Sequence, residues 1–193
     1  MTHIRYLTHP QVRIDPETPV PLWGLSEVGR ARAQKFAQSL VLSKTTQIIS
    51  SAERKAVETA KPIAAALCIT MEIRKGAHEN DRSATGYLVP DEFEVVASEF
   101  FAQPSRSVRG WERAIDAQAR IVREVETVLE RNLAGHILFV RHGAVGTLLF
   151  CHFAAFAISR VHDQLPGGGH YFTILKVERR VLHPWRPMEE LIL

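Results

Sequence analysis

Five short runs rich in β-branched and aromatic residues constrain this chain most: Ile4–Thr8, Gln47–Ser51, Ile69–Ile73, His136–Val140 and the segment from His170 to Glu178. Between them lie longer stretches whose apolar residues recur at helical spacing. One helix is expected from an N-cap at Ser26, with Val28, Ala31, Phe36, Leu40 and Val41 as its apolar positions. A second starts near Ala52 and carries Ala56, Thr59, Ala60, Ile63 and Leu67, with Pro62 as a point of kinking. Residues 91–104 read as a short helix bounded by prolines, and residues 108–132 as a long one with a stripe of Trp111, Ile115, Ile121, Val125 and Leu129. Residues 144–158 form a nearly all-apolar helix. Residues 75–90 have no period and read as a loop of functional length. Strands alternating with helices specify a three-layer α/β/α sandwich around a mostly parallel sheet, with binding sites beyond the carboxyl ends of the strands.

At 193 residues and 46% hydrophobic, the chain suits one domain spanning residues 1–193. A net charge of +3 tilts it toward small anionic ligands. The basic residues are scattered among acids, which argues against nucleic acid as a partner. No apolar run approaches the roughly 18 residues of a membrane span, so no membrane partner is expected. Cys68 and Cys151 sit in apolar segments and are expected in the core of a cytoplasmic protein. The oligomeric state stays open, a homodimer among the options.

Two of the expected strands run into a histidine, at Thr8-His9-Pro10 and Arg141-His142-Gly143. If the strands are neighbours, the imidazoles converge. Neutral imidazole is a good nucleophile near neutral pH, and phosphoryl transfer through a phosphohistidine would need cations for the equatorial oxygens and an acid for the leaving group. Arg54, Lys55 and Arg141 are the candidate cations, Glu79 the candidate acid with Asp81 in reserve. Other readings stand beside these: Arg54 and Lys55 as a solvated first-turn pair, and Glu79 as a partner of Arg82 or a turn cap. Arg141 after an apolar strand would be costly to bury without an anionic partner. Trp111, Phe150, Phe153 and Phe156 fall at helical spacing and read as core, and Pro166–His170 reads as a turn without the ending of a P-loop. No His-Glu-x-x-His motif and no histidine pair spaced i, i+4 occurs, so no metal and no cofactor is expected.

Taken in order, the strand ending at His9, "LSEVGRARA", "SSAERKAVETA", "AHENDRS" and "VRHGAVGTLL" resemble the histidine phosphatase superfamily, with its phosphoglycerate mutase-like fold, over Ile4 to about Leu149. The resemblance implies His9 as phosphorylated nucleophile, Glu79 as proton donor and His142 as the second histidine on the phosphoryl group. It implies a metal-independent phosphatase acting on a phosphate monoester or related phosphorylated substrate. The chain departs from the family signature Arg-His-Gly, reading Thr8-His9-Pro10, and the arginine of the second basic segment falls on Lys55. Arg141, Arg13 and Arg82 are the candidates to replace the lost guanidinium, and the Pro10 carbonyl is available to the ring nitrogen of His9 that does not attack. The alternative is a weakened relative that binds a phosphorylated ligand or partner without turnover.

Overall fold

The computed structural model describes residues 2–131 and 134–191. In chain order the elements are β1 (His3–Thr8), α1 (Glu27–Ala37), β2 (Thr45–Ser51), α2 (Arg54–Leu67), β3 (Met71–Arg74), α3 (Pro90–Ala102), α4 (Ala114–Leu129), β4 (His136–Arg141), α5 (Gly143–Phe153), β5 (His170–Leu175), β6 (Arg180–Val181) and β7 (Arg186–Pro187). One sheet runs β3-β2-β4-β1-β5-β6, with β7 also on β5. The four strands β3, β2, β4 and β1 are mutually parallel, and β5 turns antiparallel on β1. This is an α/β sandwich, mostly parallel with an antiparallel flank.

The central strands are buried on both faces, as continuous apolar runs in a helix-covered sheet must be. Ile4, Tyr6, Ile137 and Phe139 point into one core with α3, α4 and α5 residues such as Phe100, Ile121 and Leu148. Leu7, Leu138 and Val140 alternate to the other face, against Phe36 of α1 and Ala56, Ala60 and Ile63 of α2. Ser26 caps α1, its hydroxyl accepting the Gly29 N–H at 3.1 Å.

Several expectations about faces and ends are corrected. The buried side of α1 is Gly29, Ala33, Phe36 and Ala37, whereas Val28 and Leu40 face solvent. Backbone approach decides this face: a Cβ at Gly29 would lie 2.2 Å from the Gln11 carbonyl oxygen. The long helix begins at Ala114, so Trp111 packs in the core from the preceding turn and Ile115 is exposed; the expected end at Asn132 lies outside the described residues. Helix α5 stops at Phe153, which leaves Phe156 half exposed. Cys68 is exposed, ending α2 in a left-handed conformation, while Cys151 is buried. Among the described residues, no helix is long and apolar enough to cross a membrane.

Candidate active site

The register of β1 on β4 aligns Thr8 with Arg141, and the ladder continues one step further through His9 N–H to the Arg141 carbonyl at 3.0 Å. The next residue on each strand is therefore a histidine at the same level. The two rings meet edge to face with centroids 5.4 Å apart. His9 Nδ1 lies 2.9 Å from the Pro10 carbonyl oxygen. A carbonyl can only accept, so the proton sits on Nδ1 and Nε2 carries the lone pair. Three consecutive glycines with positive φ, Gly167 to Gly169, pack behind this histidine: the Gly169 N–H donates to the His9 carbonyl at 3.0 Å, and a Cβ at Gly168 would lie 2.3 Å from that same oxygen. The turn expected at Pro166–His170 thus has a second use, since only residues without a side chain fit so close at this φ.

Burial, assisted by the Lys55 ammonium, pushes the His9 imidazolium down to about 4. Burial also holds His142 well below its ordinary value. Both rings are neutral at pH 7. A histidine whose folded value lies below its unfolded value of 6.5 contributes stability that is intact above 6.5 and lost as pH falls toward 4. Acidification across that window is expected to remove up to about 3 kcal/mol through His9. Urea midpoints measured from neutral to acidic pH check this, the decline being shallower in His9→Gln.

His142 is fully buried, with Nε2 2.8 Å from Ser51 Oγ and 3.4 Å from Glu53 Oε1. It is also the N-cap of α5. Glu79 binds the first turn of that same helix: its carboxylate accepts N–H groups from Ala144 at 3.2 Å and Val145 at 3.0 Å, and from its neighbour Asn80 at 3.1 Å. The positive end of a helix dipole thereby fixes the acid beside the second histidine. Burial raises the Glu79 carboxyl, against the pull of Arg82 and these N–H groups, so it holds a proton at higher pH than an ordinary glutamate.

The loop carrying Glu79 is braced from α4. Arg120 donates to the carbonyls of Gly76 at 2.9 Å, His78 at 3.0 Å and Glu79 at 3.2 Å, and forks onto Glu112. Glu112 in turn accepts the Asp81 N–H at 3.1 Å. Arg120→Met is expected to cost about 2 kcal/mol by stranding Glu112, and to lower activity about tenfold or more by releasing Glu79 from its position. Urea denaturation and kcat on the same samples separate the two effects, and Arg120→Lys, which keeps the charge but loses the fork, should fall between.

The candidate cations divide into those at the hollow and those away from it. Arg82 lines a cavity of about 670 Å³ together with His9, Glu79 and Gln164. Its guanidinium stacks over Phe93 at 4.9 Å from the ring centre and pairs with no carboxylate among the described residues. Lys55 is buried and bonds to Glu53 Oε2 and, at 3.0 Å, to the Val20 carbonyl. Arg54 points outward into an exposed pair with Glu58. Arg13 is exposed and does not line the cavity. Thr8 is fully buried, bonded to Gln164 Oε1 at 2.7 Å and to the His170 backbone. Arg141 is also fully buried, 4.8 Å over the Phe139 ring, with no hydrogen-bond partner for its three nitrogens; burial lowers it to about 10, and Tyr6 and Glu124 oppose that. It lies on the strand face opposite His142 and does not enter the hollow. Asp81 is exposed and accepts the Ser83 N–H at 2.9 Å, a turn cap.

Glu53 is a site residue that the sequence reading missed. One carboxylate oxygen accepts the Glu79 N–H at 2.8 Å and faces His142, and the other takes Lys55. Burial opposes its charge, but the His142 ring beside it, the Lys55 ammonium and the Glu79 N–H outweigh that and hold it well below the usual carboxylate range. The signal was present in part: Glu53 stands two residues before the candidate cation Lys55, at the start of the same helix. Among the described residues, no group of three His, Cys, Asp or Glu side chains is arranged to hold a metal ion.

Two facing histidines at parallel strand ends, a helix-anchored glutamate and nearby cations come together on a phosphoglycerate mutase-like fold. The model of the histidine phosphatase superfamily, branch 1, matches residues 11–181, and the chain belongs to that superfamily. The match begins just past His9, so the first histidine is placed by geometry. No curated protein matches the chain at the sequence level. Among solved structures, mycobacterial glucosyl-3-phosphoglycerate phosphatase is 16% identical over 96% of both chains, with a TM-score of 0.74. Phosphoserine phosphatase from Entamoeba histolytica, in complex with 3-phosphoglyceric acid, is 16% identical over 99% of this chain and 100% of its own, at 0.78. YhfR of Bacillus stearothermophilus is 21% identical over 95% of both, at 0.77. At these identities the likeness speaks to the fold.

Proposed function

We propose that the protein is a metal-independent phosphatase that passes a phosphoryl group through His9. The observation carrying this reading is the orientation of the His9 ring: Nδ1 is tied to Pro10, which leaves a neutral Nε2 with its lone pair beside His142. In the first step Nε2 attacks phosphorus in line, the bond to the leaving oxygen breaks, and Glu79 gives that oxygen its proton. In the second, Glu79 as base takes a proton from water, whose oxygen displaces His9 from phosphorus and releases phosphate. Arg82, Lys55 and His142 would hold the equatorial oxygens. The named activities of the similar structures, phosphatases acting on small carboxylate-bearing phosphomonoesters, favour a small phosphorylated metabolite as substrate.

Rapid acid-free quenching of the enzyme with a labelled phosphate ester tests this. A base-stable, acid-labile phosphoryl adduct that maps to His9 and decays at the turnover rate is the expected result. Phosphate binding with neither adduct nor release would instead support a ligand-binding relative without turnover, the reading that the loss of the signature arginine at Thr8 favours.

A further inference from the structure

The donors that an incoming phosphoryl group would use are already engaged by a resident carboxylate. Glu53, at the start of α2 and nearly buried, takes the Lys55 ammonium on one oxygen. Its other oxygen takes the Glu79 N–H at 2.8 Å and lies 3.4 Å from His142 Nε2. Lys55 is therefore balanced before any ligand arrives, and among the described residues Arg82 lines the hollow without a carboxylate partner.

The groups facing Glu53 come from every element around it. Lys55 belongs to α2, His9 follows β1, His142 follows β4, and Glu79 and Arg82 come from the loop after β3. His78, Glu17 and Asp81 stand further along the adjoining cavity of about 580 Å³. With both histidines neutral, Lys55 and Arg82 against Glu53 leave one net positive charge when Glu79 carries its proton, and none when it does not. A second negative charge on the phosphoryl group would face the Glu53 carboxylate in a poorly solvated space.

We infer that Glu53 is a specificity-determining residue that makes this site accept the singly charged form of a phosphoryl group, a protonated monoester or a diester, in preference to the dianion. The inference rests on the phosphatase reading of the same site.

Inorganic phosphate is a sufficient probe, because it loses its second proton near neutral pH, where His9 and His142 are already neutral. Titration calorimetry of the full chain from about pH 6 to about pH 8 should show affinity falling toward the one-proton limit of about tenfold per pH unit. In Glu53→Gln, which keeps shape and removes the charge, the slope should flatten, with affinity at the alkaline end raised about tenfold. Glu53→Asp should retain the wild-type slope. A wild-type preference for the dianion, or an unchanged slope in Glu53→Gln, overturns the inference while phosphate binding stands. Failure of every form to bind phosphate at any pH overturns the phosphatase reading and this inference with it.

Discussion

Replacing His9 with alanine is expected to abolish the phosphoryl adduct and to lower turnover of any phosphate ester by about ten-thousandfold or more, because a covalent route loses its nucleophile outright. Stability should not follow activity. The ring is held in a neutral state that acid disfavours, so the variant should tolerate low pH at least as well as the parent. Its backbone remains pinned by the Arg141 carbonyl and by Gly169. Free imidazole added to His9→Ala has a ready-made space beside His142 and should restore part of the turnover. Steady-state rates with and without imidazole measure both effects. Retention of more than about a tenth of the activity in His9→Ala would mean that another group attacks phosphorus.

Glu79→Gln carries the second largest effect, about a hundredfold to ten-thousandfold in kcat, graded by leaving group. An alkoxide leaving group needs the proton and should show the full loss, whereas a nitrophenolate leaves without help and should lose far less. The pH profile supplies a separate check. A donor must hold its proton, and burial keeps the Glu79 carboxyl protonated to higher pH than usual. The wild-type rate should therefore fall on an alkaline limb displaced upward from the ordinary carboxylate range, and this limb should vanish in Glu79→Gln. Equal losses for both leaving groups would make Glu79 a packing residue at the start of α5.

Much of this arrangement can be read from the residues, for physical reasons. The runs ending at His9 and His142 are apolar on both faces and stop at polar residues, which marks central strands and their carboxyl ends. Strand direction is not written in a hydrophobic period, so the antiparallel placement of β5 and the two-residue strands β6 and β7 emerge only from pairing. Arg141 shows a different limit. Its one-residue offset from His142 sends the two side chains to opposite faces of β4, since the period of a strand is two. The guanidinium therefore lies over Phe139 and leaves the hollow to Arg82. Glu53 was hidden because a carboxylate reads as hostile to an anion site. Its place is explained by Lys55 two residues on and by the Glu79 N–H, partners that the fold brings from the same helix start and from a distant loop.

The central claim is that His9 and His142 enclose a seat for a tetrahedral anion beside Arg82 and Glu79. A crystal structure with vanadate tests it most directly. The expected result is vanadium bonded to His9 Nε2, its equatorial oxygens within hydrogen-bond reach of His142 and Arg82, and its outer axial oxygen facing Glu79. Vanadate bound elsewhere on the chain, with the space between the two imidazoles unchanged, would contradict it.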